Sequence, residues 1–148
     1  MANTSWLGRR IGAAAVVLGQ GGDVLLVRHA YGPLNWEVPG GASEPGESIV
    51  ETALRELREE TGLDAAAESL VSIYWNEDTD AHHFVFRCRT PAAQNASPSS
   101  PEISDVGFFD ERNLPRPISD FTVRRIHDAL ALPPQPLPAS VPRRTILE

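Results

Sequence analysis

The sequence predicts an α/β (α+β) fold, a mixed β-sheet held between helices, and three observations carry that prediction. Strand-like apolar or alternating runs recur at 12–18, 24–29, 69–75, 82–89 and 104–110, bounded mostly by Gly, Pro, Asn or Asp. Two segments, 48–61 and 121–132, show the helical period instead. One helix interrupts the strands and the other follows them, so each can cover part of a sheet.

Each element has its own reason. GAAAVVL at 12–18 is a continuous apolar run and reads as a buried strand. GQGGD at 19–23 is a turn, and VLLVRH at 24–29 returns from it as the second arm of a hairpin. YGPLN is a loop, and WEV at 36–38 is a short strand halted by Pro39, Gly40 and Gly41. The first helix then runs from Ser48 to Thr61, with Gly62 placed to end it in a left-handed residue. SLVSIYW (69–75) and HHFVFRCR (82–89) are strands joined by the acidic loop NEDTDA. PAAQNASPSSP at 91–101 has no periodicity and reads as a flexible loop before the strand SDVGFFD at 104–110. In FTVRRIHDALAL (121–132), Phe121, Ile126, Ala129 and Leu130 are available to a core. The expected organisation is one domain over 1–132 and a proline-rich tail over 133–148, outside the core.

Composition excludes several functions. The chain has 148 residues and a net charge of −7, and no basic stripe is present to release counterions from nucleic acid. Cys88 is the single cysteine, which excludes an intramolecular disulfide and a cysteine-based zinc site and points to a cytoplasmic address. GRRIGAAAVVLG at 8–19 has paired arginines before an apolar run. That run is too short to span a membrane and a second β-like run follows at once, so a strand explains it better than an export signal.

Six of the chain's glutamates, Glu44, Glu47, Glu51, Glu56, Glu59 and Glu60, fall between residues 40 and 63. Like charges three and four apart destabilise a helix. At about 100° per residue, Glu56, Glu59 and Glu60 share one side within about 100°, on the flank of an apolar stripe of Val50, Ala53, Leu54 and Leu57. Arg55 is four residues from both Glu51 and Glu59, placed to neutralise and orient them. Three clustered carboxylates suit a hard divalent cation, magnesium or manganese better than zinc. A charged, solvated surface helix is the bland alternative.

The spacing decides between them. From Gly41 the chain reads glycine, five residues, Glu47, seven residues, then RELREETGL from Arg55 to Leu63. This resembles the Nudix box in every position that the family's pattern specifies. The resemblance implies a Nudix-like α/β/α sandwich and a metal-dependent hydrolase of a nucleoside diphosphate linked to another moiety. Carried onto this chain, Glu56, Glu59 and Glu60 are the implied metal ligands, joined by the backbone carbonyl of Gly40. Arg55 is implied to hold a glutamate in place, with Glu47 as its partner. Glu59 is the first choice of general base and Glu102 the second, also as a further acidic ligand; Glu77, Asp78 and Asp80 follow. The implied cofactor is Mg2+ or Mn2+ and the implied partner a nucleotide, with a homodimer possible through the strand near the N-terminus.

Other residues carry weaker signals. Arg28, Trp36 and Glu37 are substrate-binding candidates: Arg28 for a phosphate, against a surface ion pair, and Trp36 for a base, against a place in the core. His82 and His83 open a strand, so one of them faces inward. Submotifs for ADP-ribose, diadenosine polyphosphates and coenzyme A are not apparent, which leaves nucleoside triphosphates, oxidised guanine nucleotides included, slightly favoured over ADP-ribose. A non-catalytic nucleotide sensor and a metal-binding interaction module using the proline-rich tail are the readings of another class.

Overall fold

The computed structural model describes residues 10–91, 95–140 and 145–146. Its elements are β1 (Arg10–Leu18), β2 (Val24–His29), β3 (Trp36–Glu37), β4 (Gly40–Ala42), α1 (Ile49–Thr61), β5 (Ala66–Asn76), β6 (Ala81–Arg89) and β7 (Ile103–Phe109), then a short 3-10 turn (Glu111–Asn113) and α2 (Asp120–Ala131). The strands form one mixed sheet in the order β3-β2-β1-β6-β5, with β4 added to β1 and β7 to β2. β1 and β6 are parallel, and the other pairs are antiparallel. The expected α/β/α sandwich is the observed one.

β1 explains the layering. Ala13 to Val17 are all nearly inaccessible, so this strand is buried on both faces and needs no polar alternation. Ala13, Ala15 and Val17 pack with Ala53 and Leu57 of α1 and with Phe86. Ala14 and Val16 pack on the other face with Trp36, Val85, and Ile126 and Ala129 of α2. On α1 the predicted stripe divides, with Ala53 and Leu57 fully buried and Val50 and Leu54 packed at its margin. On α2, Leu130 is exposed, contrary to expectation, because the stripe runs through Thr122, Arg125, Ile126 and Ala129.

Three further expectations change. The Pro39-Gly40-Gly41 stop is not a bare turn, because Gly40–Ala42 pair with Gly12–Ala14 as β4. A Cβ on Gly40 would lie 2.5 Å from the Ala13 carbonyl oxygen, so only glycine allows that approach. The segment expected as a free loop at 91–101 is tied down over its described part: the N–H groups of Ser97 and Ser99 donate to the carbonyls of Thr61 and Glu60 at 3.0 and 3.1 Å. They satisfy carbonyls that the end of α1 leaves open. Finally, over the described residues β1 has β6 on one edge and β2 and β4 on the other, so its edges are paired within the sheet. Residues 133–140 are exposed, and Gln135 exchanges two backbone hydrogen bonds with Leu70 at the outer edge of β5.

Candidate active site

The site is built on α1 and the turn before it. Ser48 caps the helix: its hydroxyl accepts from the Glu51 N–H, and its own N–H donates to the Glu51 carboxylate at 2.7 Å, completing a capping box. Glu51 is therefore committed to the cap and does not serve Arg55. Gly62 ends the helix at φ 76°, the left-handed geometry that its position predicts.

Arg55 binds four groups around it. Its Nε donates to Glu47 at 2.9 Å, Nη1 to Glu56 and Glu59 at 3.0 and 3.1 Å, and Nη2 to Glu47 and the Ala42 carbonyl at 2.9 and 3.0 Å. The fork fixes the loop that precedes α1 against two carboxylates of the helix. Hydrogen bonds from Arg55, aided by the Glu44 N–H region and Thr52, draw the Glu47 carboxyl down to about 2.

Glu56 and Glu60 are differently placed. Gly41 stands against Glu56, and a Cβ there would come within 2.4 Å of the Glu56 Oε1. Burial raises the Glu56 carboxyl, with Arg55 opposing, and Glu59 and Glu102 add to the rise. Glu60 is 6% exposed although charged groups are costly to bury, and its Oε2 has no hydrogen-bond partner among the described residues. Burial pushes its carboxyl up to about 8, with Glu56, Glu102 and Glu37 adding and the Gly40 N–H opposing. Glu59 projects outward, its side chain 56% exposed and held by Arg55.

Glu102 reaches this cluster from the start of β7: its charge acts on both Glu56 and Glu60, and its carbonyl accepts from the Ala30 N–H at 2.8 Å. The side chains do not form a closed cage. Among the described residues, no three His, Cys, Asp or Glu groups are disposed to hold a metal ion together. The geometry gives the reason, since Arg55 turns a Glu56 oxygen and a Glu59 oxygen onto its own guanidinium. Even so, the donor set is all oxygen and the buried Glu60 oxygen is orphaned, which is what a hard divalent ion matches.

The remaining candidates separate. Trp36 is 6% exposed and packs edge-on against Phe109 at 4.9 Å, so its ring is core and has no face open to a base. Arg28 donates to the Leu34 carbonyl at 3.0 Å and braces the loop between β2 and β3. Glu37 accepts from the Val38 N–H, from the Thr122 hydroxyl at 2.6 Å and from the buried Arg125 guanidinium. It also borders a cleft of about 540 Å³ with Asn35, Trp75, Glu77, Asp78 and Phe121. A larger cavity of about 780 Å³ lies among Leu18, Glu68, Arg87, Thr90 and Phe108 and touches none of the helix acids. The helix acids line neither cavity, and the cleft beside Glu37 is linked to them through Glu37, whose charge adds to the rise of the Glu60 carboxyl. Asp78 and Glu77 line it, away from the helix acids, and Asp80 sits in the turn between β5 and β6 at φ 50°. His83 is the inward histidine, edge-on to Phe121, while His82 lies against Trp75.

Two residues escape the sequence reading. Arg125 lies on the apolar stripe of α2, and a charge in that stripe is the signal that a buried partner exists. Tyr31 is 55% exposed, yet it feels Glu102, Glu60, Glu37 and Glu56. Nothing in YGPLN marks it.

A mixed sheet between helices that presents a glutamate-rich helix with its bracing arginine defines the Nudix class. A family model described as NUDIX domain matches residues 8–129, and the chain belongs to this family. A Homo sapiens relative named 8-oxo-dGDP phosphatase NUDT18 is 32% identical over 122 residues, covering 80% of this chain and 36% of that protein. A Methanocaldococcus jannaschii ADP-ribose pyrophosphatase is 30% identical over 97 residues, 63% of this chain and 57% of that protein. A solved Nudix hydrolase from Nitrosomonas europaea superposes with a TM-score of 0.73 at 26% identity, covering 87% of this chain and 93% of that one. The chain spans about a third of the human relative's length, and half that of a Bacillus subtilis relative 41% identical over 76 residues.

Proposed function

We propose that this chain hydrolyses the pyrophosphate bond of a nucleoside diphosphate derivative, with Mg2+ or Mn2+ held by Glu56, Glu59, Glu60 and Glu102 and the Gly40 carbonyl. The observation that carries the reading is the buried, orphaned Glu60 oxygen beside Glu56 on the glycine turn. A bound divalent ion supplies charge neutralisation for the phosphates and acidifies an attacking water. Arg55 orients Glu56 and Glu59 from one guanidinium, which holds the ligands at fixed separation before substrate arrives. Glu59, the most exposed of the three, is the assigned general base and takes the proton of the attacking water. The protein's contribution is thus largely positioning and electrostatics. The cleft beside Glu37 takes the nucleoside.

Oxidised guanine nucleotides are the favoured substrate, supported by the likeness to the human 8-oxo-dGDP phosphatase. ADP-ribose is the second reading, supported by the likeness to the archaeal ADP-ribose pyrophosphatase. The address proposed is cytoplasmic. Among the described residues no helix is long and apolar enough to cross a membrane. The test is release of phosphate or pyrophosphate from a panel of 8-oxo-dGTP, 8-oxo-dGDP, dGTP and ADP-ribose, run with Mg2+ and then Mn2+. Turnover of none of them, with binding retained, would transfer the case to a nucleotide sensor.

A further inference from the structure

The loop between β2 and β3 is closely specified. The His29 N–H donates to the Asn35 carbonyl at 3.0 Å, the Ala30 N–H to the Glu102 carbonyl at 2.8 Å, and Arg28 to the Leu34 carbonyl. Gly32 and Leu34 both have positive φ, 58° and 53°. Within this braced loop the Tyr31 ring lies parallel on His29, with centroids 4.9 Å apart and planes 12° from parallel. The imidazole covers one face of the phenol while the residue as a whole stays 55% exposed.

A tyrosine on a loop is ordinarily just surface. This one differs in its surroundings. Besides its partial burial, the charges of Glu102, Glu60, Glu37 and Glu56 hold its phenol above the ordinary range. These are the acids of the candidate metal site and the residue that borders the adjoining cleft. The bond from the Ala30 N–H to the Glu102 carbonyl sets Tyr31 beside a candidate metal ligand, with one face of its ring left uncovered by His29.

We propose that Tyr31 is a substrate-positioning residue whose open ring face stacks on the planar base of a nucleotide with its phosphates beside Glu56 and Glu60. The proposal rests on the hydrolase reading for where the phosphates sit. Stacking on His29 fixes the ring in advance, so little rotamer freedom is lost when a base arrives. A base stacked on an aromatic side chain gains roughly five- to hundredfold in affinity.

Calorimetric titration in Mg2+ tests this with three uncleavable probes: the α,β-methylene analogues of dGDP and ADP, and methylenediphosphonate, which has no base. Tyr31→Ala and Tyr31→Leu should each weaken both nucleotide analogues about tenfold and leave methylenediphosphonate unchanged. Tyr31→Phe should stay within about twofold of wild type, since it keeps the ring. Wild-type affinity in the Ala and Leu variants would overturn the proposal. So would a Phe variant as weak as Ala, which would assign the effect to the hydroxyl, and so would a wild type that binds the nucleotides no better than methylenediphosphonate. Melting temperatures of the three variants near wild type exclude misfolding. Turnover of the substrate panel is a separate measurement: a wild type that binds the analogues but cleaves nothing counts against hydrolysis, while the Tyr31 result stands.

Discussion

Glu60 shows how much a single residue can carry. It sits in the box motif, but its burial and its unpartnered oxygen belong to the fold. Glu60→Gln should lower turnover of the active nucleotide by at least about 100-fold while the melting temperature holds or rises, because the substitution removes a buried carboxylate. Glu59→Gln should lower kcat by a similar factor, with no loss of stability expected from so exposed a side chain. Full rate in both variants would sink the site assignment. Arg55→Lys tests the bracing: an ammonium cannot reproduce contacts to Glu47, Glu56, Glu59 and the Ala42 carbonyl at once. The expected outcome is a kcat loss larger than any change in KM, read from steady-state kinetics.

At the scale of elements, α1 is where local chemistry and site geometry agree. Ser48 and Glu51 form its capping box, and Ser48→Ala should cost about 1 kcal/mol in a urea titration with the site otherwise unaltered. α2 is docked differently. Arg125 is buried, pairs with Glu37 of β3 and lies 4.0 Å from the Phe121 ring centre. Removing one partner of such a pair strands the other, so Arg125→Ala should cost about 3 kcal/mol or more in chemical denaturation. That link was illegible in the sequence, because the partners lie 88 residues apart. The strand runs and both helices were legible because periodicity and end signals are local. β4 was not: three residues of Gly and Ala carry no strand propensity, and only the pairing with β1 makes them a strand.

The whole molecule determines how stability and charge are linked. With its folded-state carboxyl raised to about 8, Glu60 holds a proton in the native protein at pH values where the unfolded chain has released it. The native state binds more protons between the ordinary glutamate range and about pH 8, so stability of the metal-free protein should fall as pH rises through that window. Glu60→Gln should flatten the slope, and melting curves from pH 5 to 8.5 check it. Metal binding needs the ionised carboxylate, so below about pH 8 Mn2+ binding should release a proton, and as pH rises through 8 the affinity should increase while the release falls away, which titration in two buffers of different ionisation heat detects.

By itself the sequence determined the family, the glutamates and arginine that α1 carries, and the helix and most strand runs, because each is written within a few dozen consecutive residues. The tertiary structure decided which of those carboxylates is buried and orphaned, and it took Trp36 into the core and Glu51 into a cap. It also brought Glu102 and Glu37 within electrostatic reach of Glu60, and Tyr31 within reach of all three. The physical reason is that burial and electrostatic coupling depend on what lies across the sheet. The approach of β7 and of the β2–β3 loop to α1 is a matter of pairing between distant strands, which no local pattern encodes.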